Sequence, residues 1–413
     1  MSFTRRILHY SPGPADFVAD LSDHVATGAW FELRRQGGCG DGELVLLDDG
    51  CTEGDVAVGD WIVFDDGGAS RWYQGQVRGR VRVGSHAWRL TLAGMGRQLE
   101  GVFPGGFGTG VADGVGPHRY SQVDDFPDDP DAADETVDDI TEPVDVVRLL
   151  VPQYVEPQTD ITYDASLVET PLFLSTVMSL KVRGEESAAQ ILRDLAMRSR
   201  NVAWGVNADG KFFFLRPRSD LLATFQLGTD VVAMQRSSRK AMLFNRVLLT
   251  GGYIYGPPTD PFDPDGTPRP AHRWRGHYIQ PESRDAHGRR EIEIFLPWIR
   301  TQEDSIEFCR EFFNIYADPR ETFDIEVANQ TTLLQPWHGC IRLLDATGGV
   351  LYEGFFETIR VQFDGSPRFR IHLGPPDPLE IWPRPLQPDR TLIPAVPIAG
   401  GVISSSSSSS SSA

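Results

Sequence analysis

Two stretches decide how this chain is read: GDWIVFDDGGASRWYQG (Gly59–Gly75) and GCIRLLDATGGVLYEG (Gly339–Gly354). With one gap, both run glycine, apolar strand, aspartate, Gly-Gly turn, then a strand of the form apolar-Tyr-polar-Gly. An apolar run, a glycine turn and a second run make a hairpin. The echo continues downstream, where Trp88-Arg89-Leu90-Thr91-Leu92 answers Phe369-Arg370-Ile371-His372-Leu373 at nearly the same offset from the opening glycine. One such match is common among β proteins. Two in order point to duplication of a β-barrel. Trp61, Tyr73, Trp88 and Leu90, with Ile341, Leu343, Tyr352 and Phe369, are accordingly read as structural positions of two related barrels.

Around the first copy, YQGQVRGRVRV from Tyr73 alternates with period two. Tyr73, Gly75, Val77, Gly79, Val81 and Val83 share one face, and Gln74, Gln76, Arg78, Arg80 and Arg82 the other. That is the pattern of a half-buried antiparallel strand. The stripe Arg78, Arg80 and Arg82 is either a solvated outer face or an intersubunit face meeting acids on a neighbour. Glu43–Leu47 and Trp61–Phe64 add short strands, so residues 1–103 form a first barrel.

A composition break follows. Residues 104–143 hold the glycine-rich Gly105–Gly116, and Asp124–Asp145 contains eleven acids with no Lys or Arg. Like charge at that density buries too little apolar surface to offset ordering entropy, which predicts an exposed loop. Residues 144–223 are mixed: Ala188, Ile191, Leu192, Leu195 and Ala196 make a helical stripe, and Asn201–Leu215 reads as a hairpin. Residues 224–374 return to β, with a strand at Arg246–Thr250, a Pro/Asp loop at Gly256–Pro270 and a helix at Glu303–Ala317. Thr301 and Asp304 suit a capping box for that helix. Residues 375–413 are a Pro-rich tail closing in the serine run Ser404–Ser412. The fold class is mainly β with an α+β portion: two related barrels and a small α+β middle domain.

The chain has 413 residues, a formal charge of −19, 40% hydrophobic residues and 10% aromatics, enough for real cores. The block Asp124–Asp145 supplies −11 of that charge. The remainder is only moderately acidic, and an extended basic DNA clamp is disfavoured. No run approaches the length of a membrane-spanning helix, and the start has Arg5 and Arg6 but no apolar core of a secretory signal. Cys39, Cys51, Cys309 and Cys340 are scattered and read as reduced, structural thiols. Only three lysines are present, so positive charge is almost all Arg, which suits planar ion pairs.

Catalytic and metal motifs are absent from the sequence: no HExxH, no GxSxG, no P-loop. Gly38-Cys39-Gly40-Asp41-Gly42 lacks the spacing of a phosphate cradle and reads as a tight turn. Asp260, Asp263, Asp265 and Gly266 fail the calcium-loop spacing because Pro261 intrudes. His272 and His277, read as loop residues, lack a third ligand. The Asn329-Gln330-Thr331 sequon carries no weight. No catalytic residue, cofactor or metal is expected.

The ordered blocks VGDWIVFDDGG…RWYQGQV…WRLTLAG, AAQILRDLA with VAWGVNADGKFFFL, FNRVLLTGG (Phe244–Gly252) and the closing repeat resemble the baseplate or tail-tip hub family of long-tailed bacteriophages. The resemblance covers roughly residues 1–375. It implies a homotrimer with two tube-type barrels per subunit, seated on the hexameric tail tube and holding a central spike or fibre. It also implies passage of viral DNA through the lumen, assembly in the host cytoplasm and a place in the virion. An acidic wall is then expected to keep phosphates from sticking. Hubs of the family often carry a C-terminal enzyme or spike. This chain ends in its Pro/Ser tail instead, and the acidic insert is not part of the shared pattern. The rival readings are a tail-associated cell-wall hydrolase and a host carbohydrate-binding module.

Overall fold

The structure is a computed structural model. It describes residues 3–104, 143–170, 187–255, 271–376 and 378, except 12, 15, 48–55, 69–70, 198, 200, 239–241, 297–298 and 300–301. The acidic block up to Glu142, Asp260–Gly266, Thr301, Cys51 and the serine run lie outside the described residues, while the last acid of the block, Asp145, sits in the first turn of a helix.

The first third is mainly β, with short 3-10 turns at Ser22–His24 and Met95–Gly101: β1 (Arg6–Tyr10), β2 (Phe17–Asp20), β3 (Trp30–Arg34), β4 (Gln36–Leu47), β5 (Trp61–Asp65), β6 (Arg71–Arg82) and β7 (Ala87–Gly94). A middle segment follows, with α1 (Pro143–Leu150), α2 (Ala188–Met197) and the hairpin β8 (Ala203–Val206) and β9 (Phe212–Leu215). Then come β10 (Leu221–Gln226), β11 (Val231–Ser238), β12 (Arg246–Tyr255), β13 (Ala271–Ile279), α3 (Pro281–His287), β14 (Glu291–Phe295) and α4 (Gln302–Tyr316). The chain closes with β15 (Glu321–Ala328), β16 (Cys340–Leu344), β17 (Val350–Gly354), β18 (Phe356–Gln362) and β19 (Arg368–Leu373).

Thirteen strands form one sheet, ordered β11-β15-β19-β18-β3-β4-β7-β6-β5-β1-β2, with the β8–β9 hairpin branching from β4. Two three-stranded sheets accompany it, β10-β16-β17 and β13-β12-β14. The seam between the halves of the chain is the antiparallel pair β18–β3, where Arg360 faces Glu32 and Val361 faces Phe31. Under this seam lies a core drawn from both halves: Phe31, Phe64, Trp72, Tyr73, Phe363 and Phe369 are fully buried. Phe31 stacks on Tyr73 at 5.0 Å, and Phe64 meets Phe363 edge-on at 5.3 Å. Each such pair adds about 0.5–1.5 kcal/mol beyond area burial.

A second core joins α1, α2 and the β8–β9 hairpin to Trp61, Met95 and Leu99. The stripe Ala188, Ile191, Leu192, Leu195 and Ala196 faces it, as helical spacing demands. A third core packs α4 through Phe308 and Phe312 on β12 and β14. The region between β11 and β15 is therefore not continuous strand; it carries this lateral sheet and its two helices.

Three local expectations are corrected. Gly38–Gly42 is not a tight turn but part of β4. Gly38 serves close approach, because a side chain there would run into the Val206 backbone of the parallel neighbour β8. His272 and His277 sit on strand β13, not in a loop. The third correction concerns β6. A bulge between Val77 and Gly79 shifts its register against β7 and breaks the period-two alternation. Beyond it, Arg80 and Arg82 stack over Trp88 at 4.4 and 5.0 Å, while Val81 is turned out, 60% exposed. The arginine stripe is thus divided at Arg78 rather than lying on one face.

Candidate functional site

The repeat can be followed strand by strand. In the first copy Ile62 pairs with Gly75 and Phe64 with Tyr73; in the second, Ile341 pairs with Gly354 and Leu343 with Tyr352. The register then breaks between Val77 and Gly79 in one copy and between Phe356 and Thr358 in the other. Tyr73 and Tyr352, Val77 and Phe356, and Gly79 and Thr358 are all the same distance apart in sequence. The bulge is duplicated along with the strands. One difference is a break at Phe355, which divides the counterpart of β6 into β17 and β18 on two sheets. Two units therefore correspond, β3-β4-β7-β6 and β11-β15-β19-β18, and β18–β3 joins them.

The eight sequence-predicted barrel positions distribute as follows. Tyr73, Leu90, Ile341, Leu343 and Phe369 are buried in the shared core, and Trp88 and Tyr352 pack against its margin. Trp61 is fully buried but in the neighbouring core of α1 and α2. Both repeat tyrosines anchor backbone: Tyr73 donates to the Gly40 carbonyl at 2.9 Å and Tyr352 to that of Phe355 at 2.5 Å. Burial pushes the Tyr352 phenol up to about 12 and raises Tyr73 as well. These hydroxyls act as neutral donors.

The opposite face of the joined units is polar, and its charges are laced across strands. On β15, Glu326 meets Arg370 (3.3 Å) and Arg368 (3.6 Å) of β19, and Asp324 meets His372 at 2.6 Å. Across the seam, Arg360 of β18 lies 3.6 Å over the Trp30 ring. On β3, Arg34 bonds both Glu32 (2.8 Å) and Asp41 of β4 (2.7 Å), and Arg89 of β7 lies 3.6 Å from Glu43. Exposed pairs of this kind contribute little stability individually, about 0–1 kcal/mol. Their effect is to match charge locally over a wide surface. Glu32, Asp41, Glu43, Asp324 and Glu326 are balanced by Arg34, Arg89, Arg360, Arg368 and Arg370. This face is charge-matched rather than acidic.

Sequence reasoning missed the polar groups inside the molecule. Arg35, at the turn from β3 to β4, is buried; it pairs with Glu357 at 3.1 Å, donates to the Asn201 carbonyl and stacks on Phe355 at 4.5 Å. It ties both repeats to the middle segment. An arginine between an apolar strand and a glycine-rich run gives no sign of that in sequence. His9, Asp60 and Ser11 form a second cluster: His9 Nε2 lies 2.8 Å from one Asp60 oxygen, and Ser11 donates to the other at 2.7 Å. The composition is that of a hydrolytic triad, but the connectivity is not. Serine and histidine both bond the carboxylate, so no base is placed to activate the hydroxyl. Among the described residues no cluster of three or more His, Cys, Asp or Glu is arranged for a metal ion. Among the same residues no helix is long and apolar enough to cross a membrane.

No protein-family model and no curated protein sequence matches the chain. Solved structures do. A tail protein from Neisseria meningitidis superposes with a TM-score of 0.54 at 11% identity, covering 92% of this chain and 98% of that one. A prophage MuSo2 43 kDa tail protein from Shewanella oneidensis gives 0.53 at 12% identity, over 89% and 97%. A prophage tail protein from Listeria monocytogenes gives 0.50 at 8% identity, over 91% and 97%. Identity this low speaks to fold alone. The fold is that of phage tail proteins, in agreement with the resemblance of the ordered sequence blocks.

Proposed function

We propose that this chain is a structural component of a phage tail tip. It acts as a homotrimeric hub that matches the hexameric tail tube on one side to a three-fold spike or fibre on the other. The reading places it in the virion, with tail-tube and spike proteins as partners.

One observation carries it: each chain holds two copies of the same four-stranded unit, down to the bulge, fused edge to edge in one sheet. Three such chains present six similar units while keeping three-fold symmetry, which is what a symmetry adaptor requires. The units close as two tube-type barrels per subunit around a channel for DNA. The charge-matched polar face suits a channel wall, because guanidiniums already paired with carboxylates do not form lasting contacts with passing phosphates.

The deciding experiment is mass measurement of the purified protein, alone and with the tail-tube protein. A trimer that binds the end of the tube is the expected result. A strict monomer that ignores the tube overturns the reading.

A further inference from the structure

We infer that copies of this chain join head to tail through two particular strand edges: the distal part of β6, Gly79–Arg82, on one copy and β11 on the next. This rests on the trimeric reading above and specifies its contact.

The argument starts from the seam inside the chain. There β18 of the second unit pairs antiparallel with β3 of the first, Thr358 facing Arg34, Arg360 facing Glu32 and Gln362 facing Trp30. In the repeat, the counterpart of β18 is the distal part of β6, and the counterpart of β3 is β11. Among the described residues, β11 forms a strand ladder along its length with β15 alone, and β6 beyond Val77 forms a ladder with β7 alone, its Arg80 side chain also reaching the Val56 carbonyl at 2.9 Å. Each is the same edge that its counterpart uses in the seam. A strand with a ladder on one side only is a site for strand addition on the other. Here each chain carries one edge of each kind, so the contact is heterologous and repeats from copy to copy until it closes.

Side chains agree with the edges being covered. Val81 on β6 and Val83 just past its end stand out, as do Val232 and Met234 on β11, at 60%, 38%, 61% and 36% exposure. Transferring the seam register residue by residue sets Val81 opposite Ser237, as Arg360 stands opposite Glu32. Val83 then faces Gln235. Arg82 falls opposite Arg236, whose charge is already matched by Glu321 at 2.5 Å.

The register makes the test specific. The full chain carrying Val81→Cys, at an exposed strand position, with Ser237→Cys, at a half-buried one, is oxidised and run without reductant, beside each single variant and the off-face pair Arg82→Cys with Ser237→Cys. The double variant is expected to give covalent trimers that reductant dissolves, with the singles and the off-face pair at least tenfold less. A trimer by mass in which this pair does not cross-link, or cross-links no better than the off-face pair, overturns the edge assignment and leaves the trimeric reading standing. A monomer by mass overturns both.

Discussion

The Tyr73 ring lies across Gly75, two residues on along the same strand, so that a methyl group there would collide with the phenol. The same relationship holds between Tyr352 and Gly354, where an added methyl would sit 2.9 Å from the hydroxyl. In both copies the glycine leaves room for the ring, and the ring shields backbone that glycine exposes. Gly75→Ala is expected to displace Tyr73 from its stack on Phe31 and cost about 1–3 kcal/mol. Tyr73→Phe keeps the ring but strands the Gly40 carbonyl, costing about 1–2 kcal/mol. Urea unfolding midpoints measure both, and a Gly75→Ala protein as stable as the parent would contradict the packing.

Arg35 gives a second prediction. Its guanidinium is buried against Glu357, Asn201 and Phe355 at the meeting of both repeats with the middle segment. Removing one partner of a buried pair leaves an unmatched charge, at a cost of about 3–5 kcal/mol. Arg35→Ala is expected to approach that figure. Glu357→Gln should cost less, since Glu357 is partly exposed. Thermal melts of the two variants give the order, and the reverse order would remove Arg35 from its central place.

The third concerns acid. Burial raises the Asp60 carboxyl, but the hydrogen bonds from Ser11, the Ala57 amide and His9 outweigh it and hold the group below the ordinary carboxylate range. A folded value below the unfolded one, about 3.9, adds stability above that unfolded value, and the contribution is lost as pH falls through the folded value. Asp60→Asn is expected to lower stability at neutral pH and to flatten the acid limb of the stability curve. Melting temperatures taken from neutral to acidic pH will show it; an unchanged acid limb would mean that Asp60 is not so held.

The thiols supply the fourth. Burial pushes Cys39 and Cys309 up to about 12 and raises Cys340 too, so little thiolate forms at neutral pH. In a Cys51→Ser background, a colorimetric thiol reagent is expected to label the folded protein at least a hundredfold more slowly than the denatured one. Fast labelling of the native state would show that these cysteines are reached without unfolding.

How much of this could be read beforehand differs by feature. The repeat was legible because its marks are local: a Gly-Gly turn and a tyrosine two residues before glycine. The helix stripe Ala188–Ala196 and the hairpin at Asn207–Gly210 were legible for the same reason. What could not be read depends on partners distant in sequence. A bulge is one extra residue relative to another strand, and Arg78 does not reveal which strand that is. Gly38–Gly42 resembles a turn in composition, yet Gly38 answers to β8, more than 150 residues away. Trp61 alternates correctly within β5 while its indole faces helices that the strand pattern does not mention. The charge-matched face was hidden for the same reason: Glu326, Arg370, Arg360 and Glu32 become neighbours only once the seam forms.

That seam also sets the order in which the molecule can be made. β3 leaves the ribosome with the first few dozen residues, but its partner β18 follows more than 300 residues later. At roughly 5–20 residues per second, the β3 edge waits on the order of half a minute for its own chain. During that interval it is an open strand beside an unfinished apolar core, and chains growing close together offer one another the same edge. A fold whose two ends must find each other is slow by topology. Synthesis therefore runs a race between closing the chain on itself and exchanging strands with a neighbour. Under the proposed edge-to-edge contact between finished copies, the winner decides between a subunit ready to assemble and a tangle of half-made ones.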